Sequence, residues 1–461
     1  MCQQVSSSDL GLSQSSLRQE KSRGNHTEGS HNLFSSVKNG NGIVWSSGVA
    51  FRPQGQYWRI GGLWYDFTTF NHPGGEEMLY LSRDRFDDAT FAFESHHLNY
   101  KKARAIIKKY KLSEEMQQRL NKEYTIPAPK LLPDESFYSD LRRRVVDYFK
   151  RNDLPLTGEP TTECMVLFAM TLSAWCLSLF NSLYFNPCVS SAILHAVISC
   201  FLGGFGHNFV HQPKYRKLAY VSLDFMGFSS DVWQREHCLQ HHMFTNTPKD
   251  HHFRVTDPFL VTDPTVPRNW IQSRIMPYIN PVILFCGLYG NWFFHFNEII
   301  KGNEKARMWP IFVPMMVGSF CYLHGWWGLF LVTIQSGCTG VYFYTMALMN
   351  HNAEKALDVK KRNACKDWGA AQVVCCADWC IDSSLIGTIP HLGLNYHTVH
   401  HLFPSVDFSH FGSIQKIMMQ TCVDHDIEYK DVAFWNLYGQ MVKSFATATS
   451  LFMEVITYNG A

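Results

Sequence analysis

Two long stretches of the chain carry no charged residue, and their pattern predicts helices that cross a membrane. Residues 164–213 and 308–353 contain no Asp, Glu, Lys or Arg. Each stretch is long enough for two crossings of about 20 residues. Residues typical of turns interrupt each one near its middle, Asn186-Pro187 in the first and His324-Gly325 in the second. The pattern therefore predicts two helical membrane hairpins, and stretches of this length disfavour the alternative of a soluble apolar core.

Basic residues flank both hairpins on either side and predict their orientation. Lys and Arg concentrate in cytosolic loops, so we expect the ends of both hairpins to face the cytosol. A further apolar segment, residues 277–300, would reverse the side of everything after it if it crossed fully. We therefore expect it to form an in-plane or partly inserted helix at the interface. The flanking basic residues are Arg142, Arg143, Arg144, Lys150, Arg151, Lys214, Arg216, Lys217, Lys301, Lys305, Arg307, Lys355, Lys360, Lys361 and Arg362.

Eight histidines occur in three short clusters beside these apolar stretches. Most imidazoles within a cluster are three to five positions apart, so a helix presents them on one side. With four membrane crossings, all three clusters lie on the cytosolic side. Chance rarely repeats such spacing, which disfavours unrelated surface histidines. The clusters are His207 and His211; His237, His241 and His242; and His397, His400 and His401.

These histidines predict a metal site. All-imidazole coordination without nearby cysteine suits iron, zinc or copper, and eight imidazoles suffice for two ions. A zinc hydrolase usually needs only three protein ligands plus water. His351 ends the second hairpin as His207 ends the first, which makes it a candidate ninth ligand; a buried polar contact at a helix end is the alternative. We expect His251 and His252 at the surface or behind the ligands, and we assign no role to His391.

Composition narrows the class of protein further. The net charge of +2 gives no overall field that would favour nucleic acid, and charged residues make up 17%, below the usual quarter. The 14 cysteines show no regular disulfide spacing, and several lie in apolar stretches, which predicts reduced thiols. Residues 1–42 are rich in Ser, Gln, Asn and Gly, and we expect them to form a disordered tail.

A second pattern, aromatic and polar, surrounds one histidine in residues 43–112. The sequence His72-Pro73-Gly74-Gly75-Glu76-Glu77 is followed by Asp88-Ala89-Thr90, by Phe93 and by the doublet His96-His97. Together these motifs resemble a cytochrome b5 domain, a small α+β fold. The resemblance implies a bound haem b with His72 as one axial ligand.

The same resemblance implies a second axial histidine. His97 lies nine residues after Asp88 and four after Phe93, the spacing seen in b5 domains fused to desaturases. We therefore favour His97 as the second ligand, with His96 as the alternative. Two imidazoles leave no open axial position, so such a haem transfers electrons and does not activate O₂.

From about Trp45 onward the chain resembles a membrane fatty-acid desaturase with an N-terminal cytochrome b5 domain, close to the insect proteins called cytochrome b5-related. This resemblance implies a haem domain at 43–112 and a linker at 113–135. At 136–461 it implies an all-α membrane desaturase domain with two transmembrane hairpins and a cytosolic His-rich cap. Besides the histidine clusters, the motifs that carry it are Thr245-Asn246, Asp257-Pro258, Met349-Asn350-His351 and His401-Leu402-Phe403-Pro404.

The resemblance also implies an activity and a location. The histidines would bind two iron ions (a di-iron centre), and the enzyme would desaturate a lipid, either an acyl lipid or an acyl-CoA, with O₂. Electrons would come from NADH-cytochrome b5 reductase through the fused haem domain. The protein would be a multi-pass protein of the endoplasmic reticulum membrane, with both functional domains facing the cytosol. The linker prolines Pro127, Pro129 and Pro133 would allow docking without fixing one pose.

Two departures from one branch of this family leave the position of attack open. Desaturases that act between an existing double bond and the carboxyl end usually begin the third cluster with Gln, where this chain has His397. Their second cluster usually has two residues between its first His and the doublet; here three separate His237 from His241. Two other activities also stay open: a lipid hydroxylase on the same scaffold, and a membrane-tethered b5 electron donor without catalysis.

Overall fold

The computed structural model describes residues 56–124, 136–247, 249–302, 306–353 and 356–447, without the side chains of His251, Val359 and Lys360. The chain divides into two units, Met1–Phe51 and Arg52–Ala461, and all that follows concerns the second. The predicted disordered tail at 1–42 lies outside the described residues.

The described chain begins with a two-stranded antiparallel sheet followed by helices. Strands β1 (Trp58–Ile60) and β2 (Leu63–Tyr65) pair with Trp58 opposite Tyr65. Gly61 and Gly62 join them, both with positive φ (63° and 73°), a backbone conformation that two-residue hairpins use and glycine adopts without strain. The helices that follow are α1 (Glu76–Arg85), α2 (Thr90–His96), α3 (Tyr100–Ile107), a 3₁₀ turn (Lys108–Tyr110) and α4 (Glu114–Glu123).

Helix α4 lies inside the segment predicted to be a linker at 113–135. The side chain of Gln117 accepts from the backbone N–H of Trp64 at 2.8 Å and donates to its carbonyl at 2.7 Å. The indole of Trp64 donates to Asn121 at 2.9 Å. The bonds from Gln117 pair the backbone N–H and carbonyl of Trp64 at the free edge of β2, as a further strand would. The N-terminal part therefore extends to residue 124, and the prolines of the predicted linker lie outside the described residues.

The rest of the described chain is helical, with π-helical segments at Asn181–Phe185 and Trp233–His241. Short 3₁₀ turns occur at His251–Arg254, Ile389–His391, Leu394–Tyr396 and Phe408–His410. The α-helices are α5 (Phe137–Arg151), α6 (Thr162–Phe180), α7 (Val189–Val210), α8 (Arg216–Met226), α9 (Ser230–Val232), α10 (His242–Phe244), α11 (Trp270–Arg274), α12 (Asn280–Ile300), α13 (Trp309–Met349), α14 (Val359–Ala364), α15 (Trp368–Cys375), α16 (Leu385–Thr388), α17 (His397–Leu402), α18 (Phe411–Asp424) and α19 (Phe434–Ala446).

Three helical segments in the described part of the chain are long and apolar enough to cross a membrane. They are Thr162–Phe185, Val189–Val210 and Trp309–Met349. Large apolar side chains on them point outward, including Leu177, Phe185 and Tyr322. Helices with this composition and surface fit a membrane protein.

The first apolar stretch folds back on itself at the predicted turn. Trp175 in α6 donates to Ser199 in α7 at 3.0 Å, and Ser178 contacts His195 at 2.7 Å. Both pairs are centred on the same turn, so α6 and α7 run antiparallel.

The second apolar stretch, α13, has the same arrangement. Gly325 interrupts it with φ 57° and ψ −133°, a conformation open in practice only to glycine. Gln335 donates to the sulfur of Met316 at 3.2 Å across this break, so the two halves lie side by side. Both turns fall where the sequence predicts them, and the crossing of a bilayer by these hairpins stays a prediction.

The apolar segment at 277–300 forms α12, which is not among the three candidate membrane spans in the described chain. It packs against the second half of α13, where Tyr289 donates to the carbonyl of Thr333 at 2.5 Å. A methyl group on Gly337 would meet the ring of Phe285. Its placement in the plane of the membrane stays a prediction.

Helix α8 fixes the end of α7, which carries the first histidine cluster. A Cβ on Gly206 would lie 2.8 Å from the backbone nitrogen of Leu223, so only glycine lets the two helices approach this closely. The contact fixes the position of the next residue, His207, in the last turn of α7.

Candidate metal and haem sites

All nine histidines predicted as metal ligands meet in the interior of the helical part of the chain, in two neighbouring groups. Four imidazoles in each group have ring nitrogens within 4.8 Å of one another, and His242 joins the first group through its contact with His237. We call the groups cluster A and cluster B. Cluster A is His207, His211, His237, His242 and His400; cluster B is His241, His351, His397 and His401.

In cluster A the Nε2 atoms point at one another. The Nε2 atom of His237 lies 2.7 Å from that of His207, 3.2 Å from that of His242 and 3.4 Å from that of His400. One ring nitrogen has a single proton or lone pair, so it cannot form three hydrogen bonds at once. Metal–imidazole bonds of about 2.0–2.1 Å put neighbouring ligand nitrogens roughly 3.0–3.4 Å apart. The observed spacing fits the edges of a coordination polyhedron.

Cluster B has the same spacing. The Nε2 atom of His351 lies 3.0 Å from that of His241 and 2.7 Å from that of His397. That of His401 lies 3.1 Å from that of His397. His351 is therefore part of the same convergence as the eight clustered histidines, which favours the ligand interpretation over a lone buried polar contact.

The outward nitrogens of three cluster B rings lie against acceptors. A hydrogen bond at Nδ1 puts the proton there and turns the Nε2 lone pair toward the cluster, as metal ligation requires. Burial lowers the pKa of His241 and His351 to about 3, so both rings are neutral at physiological pH. The pairs are His241 with Asp250 at 3.0 Å, His351 with the Cys375 carbonyl at 3.0 Å, and His401 with Gln372 at 3.1 Å.

Buried ring nitrogens without a hydrogen-bond partner indicate whether cluster A fits a metal ion. Among the described residues, neither ring nitrogen of His211 has a hydrogen-bond partner, and both are buried. Leaving a buried polar atom unpaired costs about 1–3 kcal/mol. A metal ion in cluster A would give His211 the partner it lacks. The donor set and the spacing of both clusters therefore fit bound metal.

His252, which we expected at the surface or behind the ligands, lies beside the clusters. The ring of His252 lies 4.8 Å from that of His241 and 5.4 Å from that of His237, and the three could share an ion. Its backbone N–H donates to Asp250 at 2.9 Å, the same carboxylate that faces His241. No spacing rule in the sequence signals this contact. His391, which had no assigned role, accepts from the indole of Trp379 at 3.1 Å and lies outside both clusters.

His72 and His97 face each other in the N-terminal part. Their ring centroids are 6.0 Å apart, close to the roughly 6 Å expected when two imidazoles bind one iron from opposite sides with bonds of about 2 Å. Their Nδ1 atoms lie near the carbonyls of Gly75 (3.3 Å) and Phe93 (2.7 Å). Burial and the neighbouring His97 lower the pKa of His72 to about 4. Both rings therefore suit axial ligation of a haem.

The loop around His72 leaves no room for a side chain at the first glycine of the motif. A Cβ on Gly74 would lie 2.5 Å from the Cε1 atom of His72. The competing candidate ligand, His96, turns away, since its ring lies against that of His211 with centroids 6.4 Å apart. This geometry supports His97 over His96 as the partner of His72.

The N-terminal part, residues 56–124, contacts the helical part of the chain that begins with α5. Buried Arg142 of α5 pairs with Glu94 of α2, and the rings of Phe91 and Trp368 stack with centroids 5.7 Å apart. We expected the linker to leave the docked pose open. A buried ion pair is tolerated only when both charges stay partnered, so this contact favours the docked arrangement, and the freedom that the linker allows stays a prediction. Further contacts join Arg85 to Gln240 at 2.7 Å and Arg216 to the Gly74 carbonyl at 2.9 Å.

The helical part matches a family of known enzymes. Residues 148–433, more than half of the chain, match the model of the family described as fatty acid desaturase. The chain belongs to the fatty acid desaturase family. This confirms the resemblance inferred from the sequence, and it confirms the expected class of enzyme, because fatty acid desaturases are oxidoreductases.

Relatives of this desaturase extend the similarity beyond the matched region. An acyl-lipid (8-3)-desaturase of Mortierella alpina is 28% identical over 448 residues, covering 87% of this chain and 95% of the relative. A cytochrome b5-related protein of Drosophila melanogaster is 25% identical, covering 79% and 82%. An acyl-lipid (8-3)-desaturase of Physcomitrium patens is 26% identical, covering 84% and 86%.

The desaturase builds its second histidine cluster on a π-helix. In an α-helix, residues four apart share a face; the wider π-helix brings residues five apart together. The π-helix Trp233–His241 accordingly sends His237 and His242 to cluster A, with Nε2 atoms 3.2 Å apart, and His241 to cluster B. This geometry accommodates the third residue between His237 and His241 that distinguishes this cluster.

Proposed function

We propose that this chain is a membrane di-iron fatty-acid desaturase that acts on an acyl lipid or acyl-CoA with O₂. Its electrons come from its own N-terminal cytochrome b5-like domain. The observation that carries the proposal is the convergence of nine imidazoles, distant in sequence, into two adjacent clusters with ligand spacing. A desaturase must accept electrons, which excludes zinc because Zn²⁺ has no redox chemistry. Imidazole donors suit iron.

In this proposal each cluster holds one iron ion, with His351 as a full ligand. Bound iron supplies the activation of O₂ and the removal of hydrogen from an unactivated C–H bond. The chain's own residues orient the ligands: Asp250 holds the tautomer of His241, and Gln372 that of His401. Complete burial of both rings keeps bulk water away from the reacting centre.

The N-terminal part, residues 56–124 of the described chain, acts as a haem b domain with His72 and His97 as axial ligands. The 6.0 Å separation of the two rings supports this assignment. A haem with two protein ligands passes electrons and does not bind O₂. Its reductant is NADH-cytochrome b5 reductase, and fusion to the desaturase keeps the donor at a high local concentration.

The protein works, in this proposal, in the endoplasmic reticulum membrane with both functional domains in the cytosol. Support comes from the three apolar helices and from the basic residues that flank both hairpins. Helix α7 runs from the apolar layer directly into cluster A through His207, so a lipid entering from the bilayer meets the metal site at the helix ends. A net charge of +2 gives no reason to expect a nucleic-acid partner.

The decisive experiment is expression in yeast, with measurement of non-haem iron in the purified protein and of new lipids in the cells. We expect about two non-haem irons per chain, and lipids lighter by two hydrogens, both lost in His241→Ala His242→Ala. His425→Gln is the matched control, since His425 lies outside both clusters, half-buried beside Asp140. Products heavier by one oxygen would indicate a hydroxylase. Haem without further iron or new lipids would leave only an electron donor.

A further inference from the structure

The doublet His96-His97 touches both candidate cofactor sites. The ring of His97 faces His72 across 6.0 Å. The ring of His96 lies nearly parallel to that of His211 in cluster A, with centroids 6.4 Å apart and 30° between the planes. Two consecutive residues at the end of α2 therefore reach the haem side and the metal side of the interface.

His96 is held in this orientation by its own helix. Its Nδ1 atom lies 3.0 Å from the carbonyl of Ala92 and 3.1 Å from the hydroxyl of Ser95. Its Nε2 atom is buried and has no hydrogen-bond partner in the described chain.

The residue that His96 meets lies at the centre of cluster A. The ring of His211 is 4.7 Å from that of His242, 4.8 Å from that of His400 and 5.1 Å from that of His237. A direct route from the haem-side pair to cluster A runs from His97 along one peptide unit to His96, and from there across one ring contact to His211.

We propose that His96 is the positioning residue for electron transfer between the two sites, its imidazole filling the gap between the haem ligand and His211. The inference rests on the proposed function, which puts haem at His72 and His97 and iron in cluster A. In each event one electron passes: ferrous haem becomes ferric and ferric iron in cluster A becomes ferrous. No bond forms or breaks, and no proton moves at His96. The haem is re-reduced by the NADH-dependent reductase.

The test is flash photoreduction of the haem in the full-length protein without O₂, followed by absorbance at the haem band. This measures intramolecular transfer and needs no turnover of lipid. We expect His96→Leu, which keeps the volume and removes the ring, to slow haem re-oxidation roughly tenfold, equivalent to about 1.4 kcal/mol in the barrier. His96→Phe, which keeps a ring, should stay close to the wild-type rate. Haem spectrum and iron content are checked in each variant.

Phe91→Leu is the matched control, because Phe91 lies in the same interface on Trp368 but away from the route. An unchanged rate in His96→Leu, or equal slowing in both leucine variants, would overturn the inference in favour of packing or docking alone. If wild type decays no faster than His241→Ala His242→Ala, the proposed function itself fails. Should His96→Leu lose its haem, His96→Ala and His96→Val provide the same comparison.

Discussion

Arg142 of α5 donates to both the side chain and the backbone carbonyl of Glu94 in α2. The two side chains are only 2% and 8% exposed, and the guanidinium also lies 3.9 Å from the ring centre of Tyr100. Because α2 ends at His96, this ion pair fixes the element that joins the candidate haem site to cluster A. Glu94 also pairs with Arg104 at 2.8 Å, so removing the charge of Glu94 would leave the more deeply buried Arg142 without its counter-ion.

We expect Glu94→Gln to weaken the contact between the N-terminal part and the cap by about 3–5 kcal/mol, the usual cost of breaking a buried pair. Hydrogen exchange of α2 and α5 should rise while that of α7 and α13 stays unchanged. The control is Glu428→Gln, which removes an exposed pair with Lys361 worth about 0–1 kcal/mol. Equal exchange of α2 in wild type and Glu94→Gln would show that the pair does not hold the interface.

The turns of the two apolar stretches and the histidines that converge could be predicted because each leaves a direct trace in the sequence. Charge-free length gives the apolar helices, and the turns at Asn186 and Gly325 interrupt them visibly. The nine histidines show in the sequence as three closely spaced clusters and as His351 at the end of the second apolar stretch. Their division into two clusters could not be predicted, since it depends on the π-helix that separates His241 from His242.

The interface between the two parts could not be predicted for a different reason. Arg142 looks like one of several basic residues flanking a membrane hairpin, and only its burial against Glu94 distinguishes it. Gln117 likewise sits in a polar segment, and its role appears only when its side chain meets the backbone of Trp64. Long-range contacts between polar residues have no period or spacing along the chain.

Asp250 should control the metal affinity of cluster B. Its carboxylate lies 3.0 Å from Nδ1 of His241 and orients that ring for ligation. Asn at this position keeps one acceptor oxygen but loses the charge. Substituting a residue that hydrogen-bonds a metal ligand typically lowers the affinity for the metal about 10–100-fold. We expect Asp250→Asn to lose about half of its non-haem iron to a competing chelator under conditions that leave wild type loaded, since cluster A keeps its own ligands.

Iron retained per chain, measured against chelator concentration, gives the comparison. Asp426→Asn is the control, because Asp426 is exposed in the turn that follows α18 and belongs to neither cluster. Identical retention curves for wild type and Asp250→Asn would show that the carboxylate does not support the ligand.

Gly74 should be essential for haem binding. A Cβ there would lie 2.5 Å from the ring of His72, so Gly74→Ala must displace the ring from its position opposite His97. Overpacking of this kind costs about 1–3 kcal/mol. We expect a large loss of bound haem, measured by the haem absorbance per chain. Gly439→Ala, where a methyl group meets nothing within 4 Å, should bind haem as wild type does; full haem content in Gly74→Ala would argue against His72 as a ligand.

The buried carboxyl group of Asp378 should make the free energy of unfolding depend on pH. Its carboxylate accepts from the backbone N–H of Thr398 at 2.8 Å and so anchors the helix that carries His397. Burial raises the pKa of Asp378 to about 7, above its value of about 3.9 in an unfolded chain. Between those values the folded protein binds this proton more tightly than the unfolded chain, so the contribution of Asp378 to the free energy of unfolding falls as pH rises.

We therefore expect Asp378→Asn, which cannot ionise, to lose less stability than wild type as the pH rises from about 4 to about 7. Unfolding temperatures of both proteins in detergent, with exposed Asp147→Asn as control, measure the difference, and parallel pH profiles for wild type and Asp378→Asn would refute it.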